Sequence, residues 1–228
     1  MTSDKQQGGA VQLYQRLDAV VCSVFGVYFL ALSVVPKNAH SLLKISDIQW
    51  GGVFYLVLDA TILSFLTIRH ISAARAFGIW KFRAPQLIKL SGLWLAAFYP
   101  LISLVQAFLE RLQSTHYQQP LVQFLEKNTS LSDLLVSTCI VVAIAPLSEE
   151  LIFRGYLYGV LRQHVGSLKA TLITSLLFAG IHQHPSILPG LFLLAVGLSW
   201  AYESTGCLLV PILMHSLFNF IGVLAAIL

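Results

Sequence analysis

Two adjacent carboxylates, Glu149 and Glu150, are followed by Arg154; farther on, Phe178 precedes His182 and His215 precedes Asn219, each at a four-residue step. Side chains at i and i+4 share one face of a helix, so each pair presents two groups in one direction. All of them lie in an apolar half of the chain. Ionisable groups in membrane-spanning helices cost about 2.5 kcal/mol or more each and mark functional cavities. Amide hydrolysis needs a base for water, an acid for the leaving amine and donors for the oxyanion. Glu149 is the candidate base, and His182 is placed to share its water and shuttle a proton. His215 and Asn219, one turn apart, are suited to donate to the oxyanion. Glu150 lies about 100° round the helix from Glu149 and is spaced to pair with Arg154, a supporting role. Phe178 shapes the pocket below His182.

Each of these residues taken singly also has a structural reading. Glu150 and Arg154 could form a buried ion pair, either histidine could be a packing residue, and Asn219 an ordinary interhelical hydrogen-bonder. Their joint occurrence favours catalysis.

The elements that must carry them are membrane helices. Of 228 residues, 57% are hydrophobic and 11% charged, less than half the charge of a soluble domain, which is about 25%. Apolar stretches recur at Val20–Pro36, Val53–Ile68, Leu90–Leu109, Leu134–Pro146, Leu168–Ile181, Ile187–Tyr202 and Cys207–Leu228. They predict an all-α, polytopic bundle of about 7–8 transmembrane helices. Residues 1–131 form a polar N-terminus and about three spans, and residues 132–228 hold the chemistry. The first apolar run follows a polar segment and is long enough to span, so no cleavable signal peptide is expected. Cys22, Cys139 and Cys207 lie far apart without metal-knuckle spacing, which argues against a disulfide framework. No basic, aromatic-interleaved patch suggests nucleic acid.

Arg69, Arg75, Lys81, Arg83 and Lys89 fall in one segment without an acid, which the positive-inside rule assigns to the cytoplasm, together with the N-terminus two spans earlier. The segment around Glu110–Asp133 mixes charges and faces outward. Leu134–His164 is too long for one ordinary span and contains Pro146, which should kink or divide it. Undivided, it gives seven spans and a cytoplasmic turn at Gly166; divided, eight. Glu149 lies 17 residues before Gly166 and His182 lies 16 after it, so antiparallel helices bring both to one depth. A second turn at Ser204–Gly206, on the same side as the first, returns the His215 helix to them.

The run Glu149-Glu150-Leu151-Ile152-Phe153-Arg154-Gly155, with Phe178-x-x-x-His182 and His215-x-x-x-Asn219, resembles the three signatures of the CPBP intramembrane proteases, also called Abi or CAAX-protease-and-bacteriocin-processing proteins. The resemblance covers roughly Asp133–Leu228. It implies an intramembrane endopeptidase using a glutamate-activated water, with Glu149, His182, His215 and Asn219 as catalytic positions. It also implies a membrane-associated or lipidated protein substrate at the bilayer, in an integral membrane protein expected in the plasma membrane. No cofactor is expected. The alternative is zinc or another divalent metal on His182, His215 and Glu149, although no His-Glu-x-x-His is present. From another class comes a non-proteolytic bacteriocin-immunity factor or scaffold using the same fold.

Overall fold

The computed structural model describes residues 45–68, 70, 72–113, 130–182 and 185–227. The expected span Val20–Pro36, with Cys22, lies outside these residues, as do Glu126, Lys127 and His184. The long described elements are all helices: α1 (Ile45–Ile68), α2 (Ala84–Gln113), α3 (Leu131–Val165), α4 (Ser167–Ile181), α5 (Leu188–Thr205) and α6 (Leu209–Ile227). Ile48–Ile68, Ala84–Leu112, Leu131–Val165 and Leu209–Ile227 are each long and apolar enough to cross a bilayer. This is an integral membrane protein with an all-helical fold.

Pro146 does not divide α3. A π-helical stretch, Ile140–Ile144, runs into it, and the Ala145 N–H bonds five residues back to Ile140 O. The wider turn removes the register in which a proline ring meets the carbonyl four residues earlier. A second π stretch, Phe153–Leu157, follows, with the Tyr158 N–H bonding to Phe153 O. Each bulge inserts one residue and turns the following face by about 100°. The glutamates stand between the two bulges. Together with the expected first span, an undivided α3 matches the seven-span reading.

The turns α3–α4 and α5–α6 lie at the same end of the bundle. Tyr158 Oη donates to Glu203 Oε2 (2.6 Å), and Arg162 pairs with Glu203 Oε1 (3.0 Å). The connection from α1 to α2 covers that end. The Leu208 N–H donates to Phe77 O (2.9 Å), and Lys81 Nζ to Thr205 O (3.3 Å). Two left-handed glycines make this fit possible: Gly78 (φ 64) and Gly206 (φ 55). A Cβ on Gly78 would run into the Gly206 carbonyl. The basic segment therefore sits beside the two turns.

Packing is tight where small residues let helices approach, as expected where lipid removes the drive for apolar burial between helices. Gly197 of α5 faces the Phe98 ring of α2, 2.8 Å from where its Cβ would stand. Leu95, Ile102, Leu194, Leu198, Val210 and Met214 fill the α2–α5–α6 core. On α1, Gly52, Tyr55, Asp59, Ile62 and Leu66 repeat at alternating steps of three and four and form the inward stripe. The described part of the N-terminal half thus packs directly on the helices that carry the signatures.

Candidate active site

The glutamates point in two directions. Glu150 is fully buried and Arg154 with it. Arg154 Nη1 donates to Glu150 Oε1 at 2.6 Å, Nη2 to Ala195 O at 2.9 Å and Nε to Ser199 Oγ at 3.4 Å. Its guanidinium also lies over the Phe178 ring, 5.0 Å from the centroid. The expected pair is present, and it ties α3 to α5 as well as to itself. A buried charge so tied is costly to orphan.

Glu150 has a second partner that spacing along one helix does not reveal. Its Oε1 lies 3.1 Å from His215 Nδ1. A carboxylate only accepts, so Nδ1 carries the hydrogen and the Nε2 edge is left for other contacts. That edge faces Glu149, with 3.9 Å between Nε2 and Glu149 Oε2. The separation is too long for a direct hydrogen bond and fits one oxygen atom bridging both. Glu149 Oε1 accepts from Tyr55 Oη at 2.8 Å.

His182 caps the end of α4. Its Nδ1 is 2.9 Å from Phe178 O; the carbonyl accepts, which leaves Nε2 free of that bond. Phe178, fully buried, contacts both imidazoles, with ring centroids 5.2 Å from His182 and 5.6 Å from His215. It also meets Phe153 edge-on at 5.2 Å. One aromatic ring sets the positions of two histidines and an arginine.

Asn219 Nδ2 donates to Val141 O (2.9 Å), and the first π bulge explains why that carbonyl is available. Ala145 bonds past it to Ile140 O, and the next amide in π register belongs to Pro146, which has no N–H. Asn219 supplies the missing donor. Its second amide hydrogen and its carbonyl oxygen are not used in that bond.

Glu149, His182, His215 and Asn219 all line one cavity of about 820 Å³. The volume lies within the range of small-molecule and cofactor sites, about 300–1,000 Å³. Its far wall is α2, through Tyr99, Ser103, Gln106 and Glu110, which repeat every three or four residues. Tyr55 closes it from α1. Sequence reasoning from the three signatures did not assign Tyr55, Gln106 or Glu110 to the site. The available signal was a polar residue recurring at helical spacing in otherwise apolar helices. Asp59, one turn beyond Tyr55, is also buried. It accepts from Ser148 Oγ (2.7 Å), beside Glu149, and fixes α1 against the stretch of α3 that carries the two glutamates. Among the described residues no group of three His, Cys, Asp or Glu side chains is arranged to hold a metal ion.

Residues 131–221 match the family described as type II CAAX prenyl endopeptidase Rce1-like. This segment of the chain is similar to that family. The matched residues contain all three signatures and every catalytic candidate. A 24.3 kDa Escherichia coli protein described as uncharacterized is 33% identical over 111 residues, which is 46% of this chain and 51% of that protein. The chain therefore aligns with about half the length of that curated relative. No solved structure matches the chain.

Proposed function

We propose that this Rce1-like chain is an intramembrane endopeptidase that hydrolyses a peptide bond of a membrane-associated or lipidated protein through a glutamate-activated water. The observation that carries the reading is the facing pair of Glu149 Oε2 and His215 Nε2, 3.9 Å apart in a cavity, each held from behind. Tyr55 orients Glu149 and Glu150 orients His215. A water bridging the pair loses its proton to Glu149 as it attacks the scissile carbonyl. His182 Nε2 relays that proton toward the leaving amine. The oxyanion is met by the unused Asn219 amide hydrogen, with the Nε2 edge of His215 beside it. Charge developing in a low-dielectric cavity is stabilised far more by fixed donors than by mobile water.

The metal reading places an ion on His182, His215 and Glu149, where it would polarise the carbonyl or acidify the water. We favour the glutamate mechanism because, among the described residues, no three His, Cys, Asp or Glu side chains are arranged to hold an ion. The proposed setting is the plasma membrane with a cytoplasmic N-terminus, following the positive-inside rule.

The test compares membrane-protein terminal peptides in cells carrying the wild-type chain, Glu149→Gln, or no copy. A peptide set present only with the wild type supports proteolysis. Phenotypes that survive Glu149→Gln with no such peptides assign the chain to the scaffold or immunity class.

A further inference from the structure

The cavity is not centred between the two ends of the bundle. Helix α4 has 15 residues and stops at His182, which lines the same cavity as Glu149, whereas α3 continues 18 residues beyond Glu149 to Leu131. The space that α4 leaves is the cavity. Its outer lining comes from the helix ends on that side: Ile48 near the start of α1, Gln106 and Glu110 in the last turns of α2, and Gly222 and Ala225 in the last turns of α6. None of these ends is near the Gly166 and Gly206 turns. The mouth is at the opposite end of the bundle from the basic segment.

The charge distribution gives that end a side. Arg75, Lys81, Arg83 and Lys89 lie at the end with the two turns, as do Arg162 and Lys169. Glu203, the acid at that end among the described residues, is paired with Arg162. The sequence segments flanking the other helix ends carry Lys37, Lys44, Arg111 and Lys127, offset by Asp47, Glu110, Glu126 and Asp133. Basic residues in short loops set orientation. The depth also agrees: Lys89 and Glu110 are about 32 Å apart along α2, close to the ~30 Å hydrocarbon thickness. Glu110 therefore marks the second interface, at the mouth.

The geometry points to a cavity that opens on the extracytoplasmic side of the membrane. Its substrate is a membrane-inserted polypeptide whose scissile bond lies at the outer leaflet, entering past Gln106 and Glu110. This rests on the protease reading of the site. It narrows the substrate class: a lipidated C-terminus held at the cytoplasmic leaflet meets the turns and the basic segment, about 20 Å of helix from Glu149 to Arg162, and not the mouth.

Side and activity are read separately. Alkaline phosphatase, active only outside, and a green fluorescent protein, fluorescent only in the cytoplasm, are each fused after Leu228 of the full chain in a bacterial host. The inference expects active phosphatase and a dark fluorescent fusion; the reverse overturns it. In a chain with Cys22, Cys139 and Cys207 replaced by Ala, a membrane-impermeant maleimide should label Gln106→Cys in intact cells and Arg75→Cys only after permeabilisation. Labelling of Arg75→Cys alone in intact cells overturns it. Peptides lost with Glu149→Gln should be recovered at least tenfold enriched in the extracytoplasmic fraction. The same peptides confined to the cytosol also overturn it. If no Glu149-dependent peptide appears anywhere, the protease reading fails, while the two accessibility measurements still decide the side.

Discussion

At the scale of single residues, the two glutamates share a helix turn but meet different partners. Glu149 ends in the cavity with Tyr55 behind it. Glu149→Gln keeps the size and one acceptor but removes the proposed base, so turnover should fall at least ~10²-fold, the low end for general-base catalysis, with folding intact. Tyr55→Phe removes one hydrogen bond to a carboxylate, an interaction of about 1.5–3 kcal/mol. Its turnover should fall between about tenfold and a hundredfold. Steady-state kinetics on a purified substrate, with the melting temperature recorded alongside, checks both. Glu150 instead accepts from Arg154 and His215 at a fully buried position. Glu150→Leu leaves the Arg154 charge uncompensated, a loss of about 3–5 kcal/mol. A combined Glu150→Leu and Arg154→Met chain should regain much of that stability but not the activity, because His215 has lost its orienting carboxylate. Regained activity in the double variant would show that Glu150 acts only as Arg154's counter-ion.

At the scale of elements, the glutamate-bearing stretch of α3 is bounded by two π bulges, and one of them takes a donor side chain from another helix. Asn219 donates to the carbonyl that Pro146 cannot serve. Asn219→Ala should therefore have two separable effects. It strands a carbonyl, worth about 1–3 kcal/mol of stability, and it removes a proposed oxyanion donor, worth about 10²–10³-fold in turnover. Pro146→Ala supplies an N–H in the same register. Combined with Asn219→Ala, it should restore stability by at least about 0.5 kcal/mol relative to additivity and leave turnover low. Additive melting shifts would separate the bulge from Asn219. The α2–α5 contact gives a second element-level expectation. Gly197→Val places a methyl against the Phe98 ring, an overpacking cost of about 1–3 kcal/mol. Phe98→Ala in the same chain should relieve it.

At the scale of the whole molecule, a strong chelator should leave activity unchanged under the glutamate mechanism; loss with chelator and return with zinc would reassign Glu149, His182 and His215 as ligands. How much of this was legible beforehand follows from what kind of information each feature needs. Composition and the length of apolar runs were enough for a helical membrane protein, because a bilayer admits few ways to satisfy a backbone. Spacing along single helices was enough to nominate Glu149, His182, His215 and Asn219, since periodicity is a property of one chain segment. Counting residues from Gly166 put Glu149 and His182 at one depth for the same reason. Whether Pro146 would break α3 was not decidable from sequence, because the outcome depends on Asn219 of α6, a donor 78 positions from the Val141 carbonyl it serves. The Glu150–His215 contact, the Tyr55 and Asp59 supports from α1, and the α2 wall of the cavity were likewise invisible. Each is an angle between helices, and side-chain periodicity places a residue on a face without saying which neighbour that face meets. Sequence alone determined the class of molecule and nominated the candidate reactive groups; the packing of α1, α2 and α6 on α3 decided which atoms of those groups face one another, because only tertiary contacts set rotation and depth between separate helices.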